Sequence, residues 1–434
     1  MLEPLGKPVW DRTSVELFAG GGGLAMAVQR AGFRPLLVNE LVKHACETLK
    51  ANAAVSRGDG ERIPSAGERW PLVEGDVRRY KFDYLWGRVD LLAGGPPCQP
   101  FSLGGVARGD EDKRNMFPEM FRAIRQIQPK AVICENVRGL LRPSFKPYFE
   151  YIENELRLPF EERDDETAWR DHDEALRKRL AEEPTDPKRR YEVITTRVNA
   201  ADYGVPQVRN RIIMVAFRSD LGVDIDRFRE AVRPRYSEAA LLRSMLDGAY
   251  WKRHPDVPDH VRRRVMSRLP ATPPPGDGTL PWRTLRDAIK GLEGQPPLPP
   301  VPWDRLDRRE YHLGGFTDHI GWPDARIYAG HTPNELDRPA KTVKAGVHGV
   351  PGGESVLLTD EPLLESPNDA RYPYRHRYMT VRETARVMTF PDSWRLAGPR
   401  GEQMRQLGNA VPVALGEFFA QAIATSLDEA ESQR

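Results

Sequence analysis

VELFAGGGGLAMAVQRAGF, residues 15–33, is the stretch on which the reading of the fold turns. A short apolar run stops at glycines, and the residues after them carry apolar side chains at helical spacing, which reads as strand, tight turn and helix. The same apolar runs recur at PLLVNE (35–40), VDLLAGG (89–95), AVICEN (131–136) and RIIMVAF (211–217), with helix-like MFPEMFRAIRQIQ (116–128) among them. Strands alternating with helices predict an α/β fold: a Rossmann-like, mostly parallel sheet with helices on both faces. After Phe217 the texture changes. Prolines crowd residues 273–302, and regular periodicity returns only at RETARVMTF (382–390). The expected organisation is a catalytic domain at 1–218 with a charged insertion at about 141–190, a smaller loop-rich domain at 219–375, and a return segment at 376–434 that completes the first domain.

A chain of 434 residues is long enough for two such lobes. Mean hydropathy is −0.59, and no apolar run approaches the ~18 residues that cross a bilayer. The first residues lack a basic start followed by an apolar stretch, so the expectation is a cytoplasmic protein with no membrane partner. Cys46, Cys98 and Cys134 cannot all pair, and none lies in a cluster with zinc-ligand spacing, so each reads as a reduced thiol and no metal is expected. The net charge of +2 says little about a nucleic-acid partner. Two local basic stretches say more: Lys252, Arg253, Arg262, Arg263, Arg264 and Arg268, then Arg371, Arg375, Arg377, Arg382 and Arg386, both placed as candidate phosphate contacts. The mixed charges of 151–190 read as a solvated helical insertion.

FAGGGGL (18–24) puts glycines at a strand-to-helix junction, where a ligand can approach the backbone and meet the free N–H groups of the helix. Nucleotides, dinucleotides and S-adenosylmethionine all fit that signal. Glu40 ends the next apolar run, where a carboxylate can accept both ribose hydroxyls, and Asp76 in EGDV is placed to take an adenine amino group. No Walker lysine is present. GGPPCQPFS (94–102) follows the strand VDLLA, so Cys98 falls at the carboxyl edge of the sheet, where open α/β folds bind their ligands. The flanking prolines fix the direction of its thiol.

GGPPCQPFS, ENV (135–137), QVRNR (207–211) and GNAV (408–411) together resemble, in order, the motifs of the cytosine-C5 DNA methyltransferases. The resembling blocks run through 13–40, 73–140, 191–217 and 376–417. The resemblance implies that Cys98 adds to C6 of cytosine, that Glu135 contacts N3 and the exocyclic amine, and that Arg209 contacts the base, with Arg211 beside it. It implies S-adenosylmethionine as methyl donor, leaving as S-adenosylhomocysteine. Phe18, Ala19, Gly20 and Gly22 would lie around the methionine moiety, Glu40 at the ribose and Asp76 near adenine, and Asn409 would close the pocket. Leu24, Leu41, Val77, Pro96, Met116 and Ala410 are further cofactor-binding residues that the resemblance implies. Leucine at position 41 departs from the aromatic residue that some members stack on adenine.

The partner implied is double-stranded DNA with the target cytosine flipped out, the enzyme being either paired with a restriction endonuclease or a solitary methyltransferase. Gln99 and Ser102 would contact DNA, and 102–115 resembles the family's active-site loop. Residues 219–375 take the place of its target-recognition domain. There RPAKTVKAGVHGVPGG (338–353) resembles a segment whose threonine touches a phosphate, here Thr342, and whose glycine-rich loop, here 347–353 with His348, reads bases. A monomer is expected. An RNA-methylating branch of the family remains a rival, and the large 219–375 insertion favours DNA.

Overall fold

The computed structural model describes residues 12–57, 62–97, 115–164, 166–292, 294–306, 315–327, 332–345, 355–363 and 373–434. Cys98, Gln99, Ser102 and His348 lie outside them, as do 102–114 and 347–353. By its contacts the chain divides into two compact units. The first holds the chain up to Val198 with Asn210–Arg233 and Gly416–Arg434; the second holds Asn199–Arg209 and Pro234–Leu415. The second therefore takes in 199–209 and most of the segment expected to return to the first.

The first unit is an eight-stranded sheet. Its elements in chain order are β1 (Arg12–Leu17), α1 (Gly23–Arg30), β2 (Phe33–Glu40), α2 (Lys43–Asn52), β3 (Ala54–Ser56), β4 (Trp70–Glu74), β5 (Leu91–Gly94), α3 (Phe117–Ile127), β6 (Ala131–Val137), α4 (Lys146–Arg157), α5 (Trp169–Leu180), β7 (Tyr191–Asn199) and β8 (Asn210–Arg218). The strand order is β3-β4-β2-β1-β5-β6-β8-β7. β1 to β6 run parallel and β8 antiparallel to β6, so the sheet is mostly parallel and Rossmann-like, as the alternating sequence predicts. The chain moves outward one way from β1 through β2, then the other way from β5. The strand order thus reverses between β1 and β5, and it is at the carboxyl ends of the strands beside such a reversal that open α/β sheets bind their ligands.

Burial explains why the strands read as unbroken apolar runs rather than alternating ones. On one face Val15, Leu17, Leu37, Leu92 and Val132 pack against Phe117, Met120, Phe121 and Ile124 of α3 and Phe149 and Ile152 of α4. α1 packs on β1, β2 and β5. Arg12 pairs with Asp428 and Glu431, and Lys130 with Glu431, which ties the C-terminal helix (Val413–Ser432) to the sheet. The helical stretch Arg400–Ser432 is apolar enough by length to cross a membrane, yet 67% of its apolar window is buried in the fold, as in a core helix.

The second unit carries short strands and helices held by buried ion pairs. Arg286 bridges Asp337 and Asp360, and Tyr250 donates to Asp337. Three of the arginines placed as phosphate contacts belong to this scaffold. Arg377 pairs with Glu383, Arg382 with Asp318 and Arg386 with Asp392, and all three are buried. Buried guanidiniums engaged in this way are not presented to DNA, which corrects the reading of 377–386 as a phosphate-facing stretch. In the earlier stretch Arg253 pairs with Asp287 and Arg268 with Glu335.

Candidate active site

The glycine turn is built by backbone conformation. Phe18, Gly20 and Gly22 all have positive φ, at 57°, 54° and 90°. A Cβ on Gly20 would meet nothing within 4 Å, so glycine is required there for its backbone angle and the space beside it stays open. The turn is tied to the next strand, because Ala19 donates its N–H to the Asn39 carbonyl at 3.1 Å and Gly20 donates its own to Oε2 of Glu40 at 2.6 Å. The other oxygen of Glu40 accepts from the N–H groups of Leu41 (2.9 Å) and Val42 (2.7 Å) at the start of α2. Three backbone donors thus orient this carboxylate. Leu41 itself is 65% exposed.

The third strand end joins the same edge. Asn39 donates to the carbonyls of Val73 and Gly75, each at 3.1 Å, and Gly75 donates to the Glu40 carbonyl. Asp76 caps the short helix Val77–Arg79 and its carboxylate pairs with Arg78, whose donors hold it below the ordinary carboxylate range. Leu24, Ala19 and Val77 are buried. The open cradle at Gly20 and the fixed Glu40 carboxylate fit the donor set that a nucleoside-bearing cosubstrate requires.

At the end of β5 the chain passes Gly95, Pro96 and Pro97. Asn136 donates to the Pro96 carbonyl at 3.0 Å, and Met116 donates its N–H to the Pro97 carbonyl at 3.3 Å. A Cβ on Gly95 would lie 3.7 Å from Oε2 of Glu135, so the backbone leading to Cys98 runs beside that carboxylate. Glu135 is 8% exposed, and Arg211 on β8 places Nε 2.7 Å from its Oε1, as an ion pair rather than an aligned hydrogen bond. Strand register sets this up: Glu135 lies opposite Ile213 and Val137 opposite Arg211, so the two charged residues are diagonal neighbours on adjacent strands. Asn136, which holds the proline turn, was not singled out in the sequence; its place in ENV was the available signal.

Cys134 and Cys46 are buried, and burial pushes each thiol up to about 12, with Glu40 adding to the effect at Cys46. Neither supplies a thiolate at neutral pH.

In the second unit Arg209, expected at the base, is 1% exposed and donates to the carbonyls of Val343 (2.9 Å), Gly408 (2.9 Å) and Ala410 (3.0 Å). Gln207 accepts from the Val343 N–H, and Thr342 donates its hydroxyl to the Val208 carbonyl at 2.8 Å. Asn409 is exposed at the end of the helix Arg400–Asn409, beside buried Ala410. Among the described residues no group of three or more His, Cys, Asp or Glu forms a metal site.

A mostly parallel sheet with a glycine turn at its first strand end, a carboxylate held by three backbone donors at its second and a buried Glu–Arg pair beside a Pro-Pro turn fits an α/β enzyme with a nucleoside-bearing cosubstrate. The family described as C-5 cytosine-specific DNA methylase matches residues 12–158 and 187–425, and the chain belongs to that family. It is 31% identical to the type II methyltransferase M.Eco47II of Escherichia coli over 96% of this chain and 80% of that one. It is 27% identical to the DNA (cytosine-5-)-methyltransferase M.ApeKI of Aeropyrum pernix over 96% and 99%. Its fold is similar to that of a prophage-encoded Escherichia coli protein, with a TM-score of 0.54, 19% identity and coverage of 96% and 100%. The chain is a DNA (cytosine-5-)-methyltransferase, a transferase that uses S-adenosylmethionine.

Proposed function

We propose that the chain methylates C5 of a flipped-out cytosine within a specific duplex sequence through a covalent bond between Cys98 and C6, and that Glu135 and Arg211 hold the base. The 2.7 Å contact between Arg211 and Glu135, beside the backbone that leads to Cys98, carries this reading. S-adenosylmethionine, when bound, supplies a methyl group made electrophilic by its sulfonium. Phe18, Ala19, Gly20, Gly22, Leu24 and Glu40 would hold its methionine and ribose, with Leu41, Asp76, Val77, Pro96 and Met116 at adenine and the pocket wall. The family resemblance adds Asn409 and Ala410 to the cosubstrate residues.

The Cys98 thiolate adds to C6, and the ring electrons shift toward C5 and N3. Glu135 faces the N3 edge where charge collects, and Arg211 orients Glu135 and offers donors to the base. C5 takes up the methyl group as the bond from that methyl to the sulfonium sulfur breaks, the electron pair staying on the sulfur of the departing S-adenosylhomocysteine. The C5 proton then leaves, and the electrons of that C–H bond restore the ring double bond as Cys98 is expelled. In this assignment Arg211 serves at the base, and Arg209, its donors directed at three carbonyls, acts as a strut. Gln99 and Ser102 would contact DNA near the nucleophile. Thr342 would meet a phosphate, and 347–353 with His348 would read bases, so the second unit serves as the target-recognition domain.

The type II names of the relatives support pairing with a restriction endonuclease, and the protein would act as a cytoplasmic monomer on the nucleoid. Bisulfite sequencing of a plasmid from cells expressing the protein tests the reading: methylation at one short sequence, lost in Cys98→Ser, is expected, and an unmethylated plasmid would refute it.

A further inference from the structure

The family match stops at residue 158 and resumes at 187, and α5 lies in the gap. α5 turns one face, carrying Trp169, His172, Asp173 and Leu176, toward α4. Asp173 accepts from Asn154 at 2.8 Å and from Arg177 at 2.8 Å. His172 Nδ1 lies 3.2 Å from Glu155 and 3.1 Å from the Tyr151 hydroxyl, which donates to Glu155. The Trp169 ring stands edge-on to Tyr148, with centroids 5.2 Å apart and planes at 88°, and 5.5 Å from Tyr151.

Tyr148 is where this packing meets the reaction. Its hydroxyl accepts from Nδ2 of buried Asn115 at 2.5 Å. Asn115 in turn accepts the N–H of Phe117 at the start of α3, and the intervening Met116 donates to the carbonyl of Pro97, the residue before Cys98. An unbroken line of contacts therefore runs from the inserted helix to the backbone that presents the nucleophile.

We propose that Tyr148 and Trp169 are positioning residues for methyl transfer: α5 buttresses Tyr148, and Tyr148 fixes the Asn115–Met116 turn against Pro97. The proposal rests on the reading of Cys98 as nucleophile. A side chain that sets the placement of a reacting group changes the rate of bond formation more than binding.

The test uses the full chain, S-adenosylmethionine and a duplex with 5-fluorocytosine at the target, on which the covalent adduct cannot resolve because fluorine cannot leave as a cation. Tyr148→Phe removes one hydroxyl and keeps the ring, so single-turnover adduct formation should slow roughly 3- to 10-fold, the usual consequence of one lost buried hydrogen bond. DNA and cosubstrate dissociation constants should stay within about twofold. Trp169→Ala should slow the same step, and Trp169→Phe should restore it. A purely structural role would lower the melting temperature and leave the rate of the folded protein unchanged. Should Trp169→Ala fail to fold, Tyr148→Phe decides alone, and an adduct rate within about twofold of the parent refutes the proposal. Failure of the parent protein itself to form an adduct would instead refute the chemistry assigned to Cys98, and this proposal with it.

Discussion

Nε of Arg211 lies 2.7 Å from Oε1 of Glu135, and the two residues reach each other from adjacent antiparallel strands. Removing the guanidinium leaves a buried carboxylate with neither its orienting cation nor a second donor at the base. Arg211→Ala should therefore lower kcat by roughly 100-fold or more, the scale on which positioned proton-handling groups act. Arg211→Lys should recover part of it, because a point charge restores attraction but not the planar fork. Transfer of labelled methyl to duplex DNA reads the effect. A normal kcat in Arg211→Ala would remove this residue from the site.

Glu40 accepts three backbone N–H groups, one from Gly20 and two from the start of α2. Glu40→Gln turns one acceptor into a donor facing a donor. Cosubstrate binding measured by calorimetry should weaken by about 1–3 kcal/mol, while the fold persists. Unchanged affinity would place the ribose elsewhere.

Glu16 on β1 is buried, and its Oε2 has no hydrogen-bond partner among the described residues. Burial raises its pKa well above the ordinary 4.5. The folded protein therefore keeps this proton at a pH where the unfolded chain has released it. Stability from this group is intact below the unfolded value and declines as pH rises through the folded one. Glu16→Gln should match the parent near about pH 4, where both states are protonated, and exceed it by about 1–3 kcal/mol near about pH 8. Urea unfolding at the two pH values decides it; a gap independent of pH would show that folding leaves the Glu16 pKa unshifted.

Arg209 spans the carbonyls of Val343, Gly408 and Ala410. Arg209→Met keeps most of the volume and orphans three buried acceptors, so global stability should fall by about 2–4 kcal/mol. Protein that remains folded should still form the covalent adduct at a measurable rate. Abolished chemistry in a variant of normal stability would return Arg209 to the base.

Short motifs at strand ends were legible because each is local: a turn that needs positive φ writes glycine at 20 and 22, and a parallel strand buried on both faces writes an unbroken apolar run. The division of labour between Arg209 and Arg211 was not. The two residues are two positions apart in one motif, and only the pairing of β8 with β6 shows which of them lies beside Glu135. The arginines at 377, 382 and 386 read as a basic patch because their carboxylates come from Glu383, Asp318 and Asp392, one of them far away in sequence. The inward face of α5 was hidden by charge: His172 and Asp173 look solvated until Glu155 and Asn154 of α4 are placed against them.

Gly408 has no room for a side chain, since a Cβ there would lie 2.3 Å from the amide nitrogen of Ala345. The backbones of 344–345 and 408 have thus been fitted to each other as a mould and its casting. Anyone transplanting specificity between relatives inherits that fit. A graft of 219–375 alone would set a foreign 344–345 segment against the host's Gly408 and Arg209, whereas a graft that carries 199–209 and 234–415 together keeps each half with its native counterpart. On the proposal that the second unit recognises the target, the segment to exchange is a discontinuous one, with junctions at 198/199, 209/210, 233/234 and 415/416.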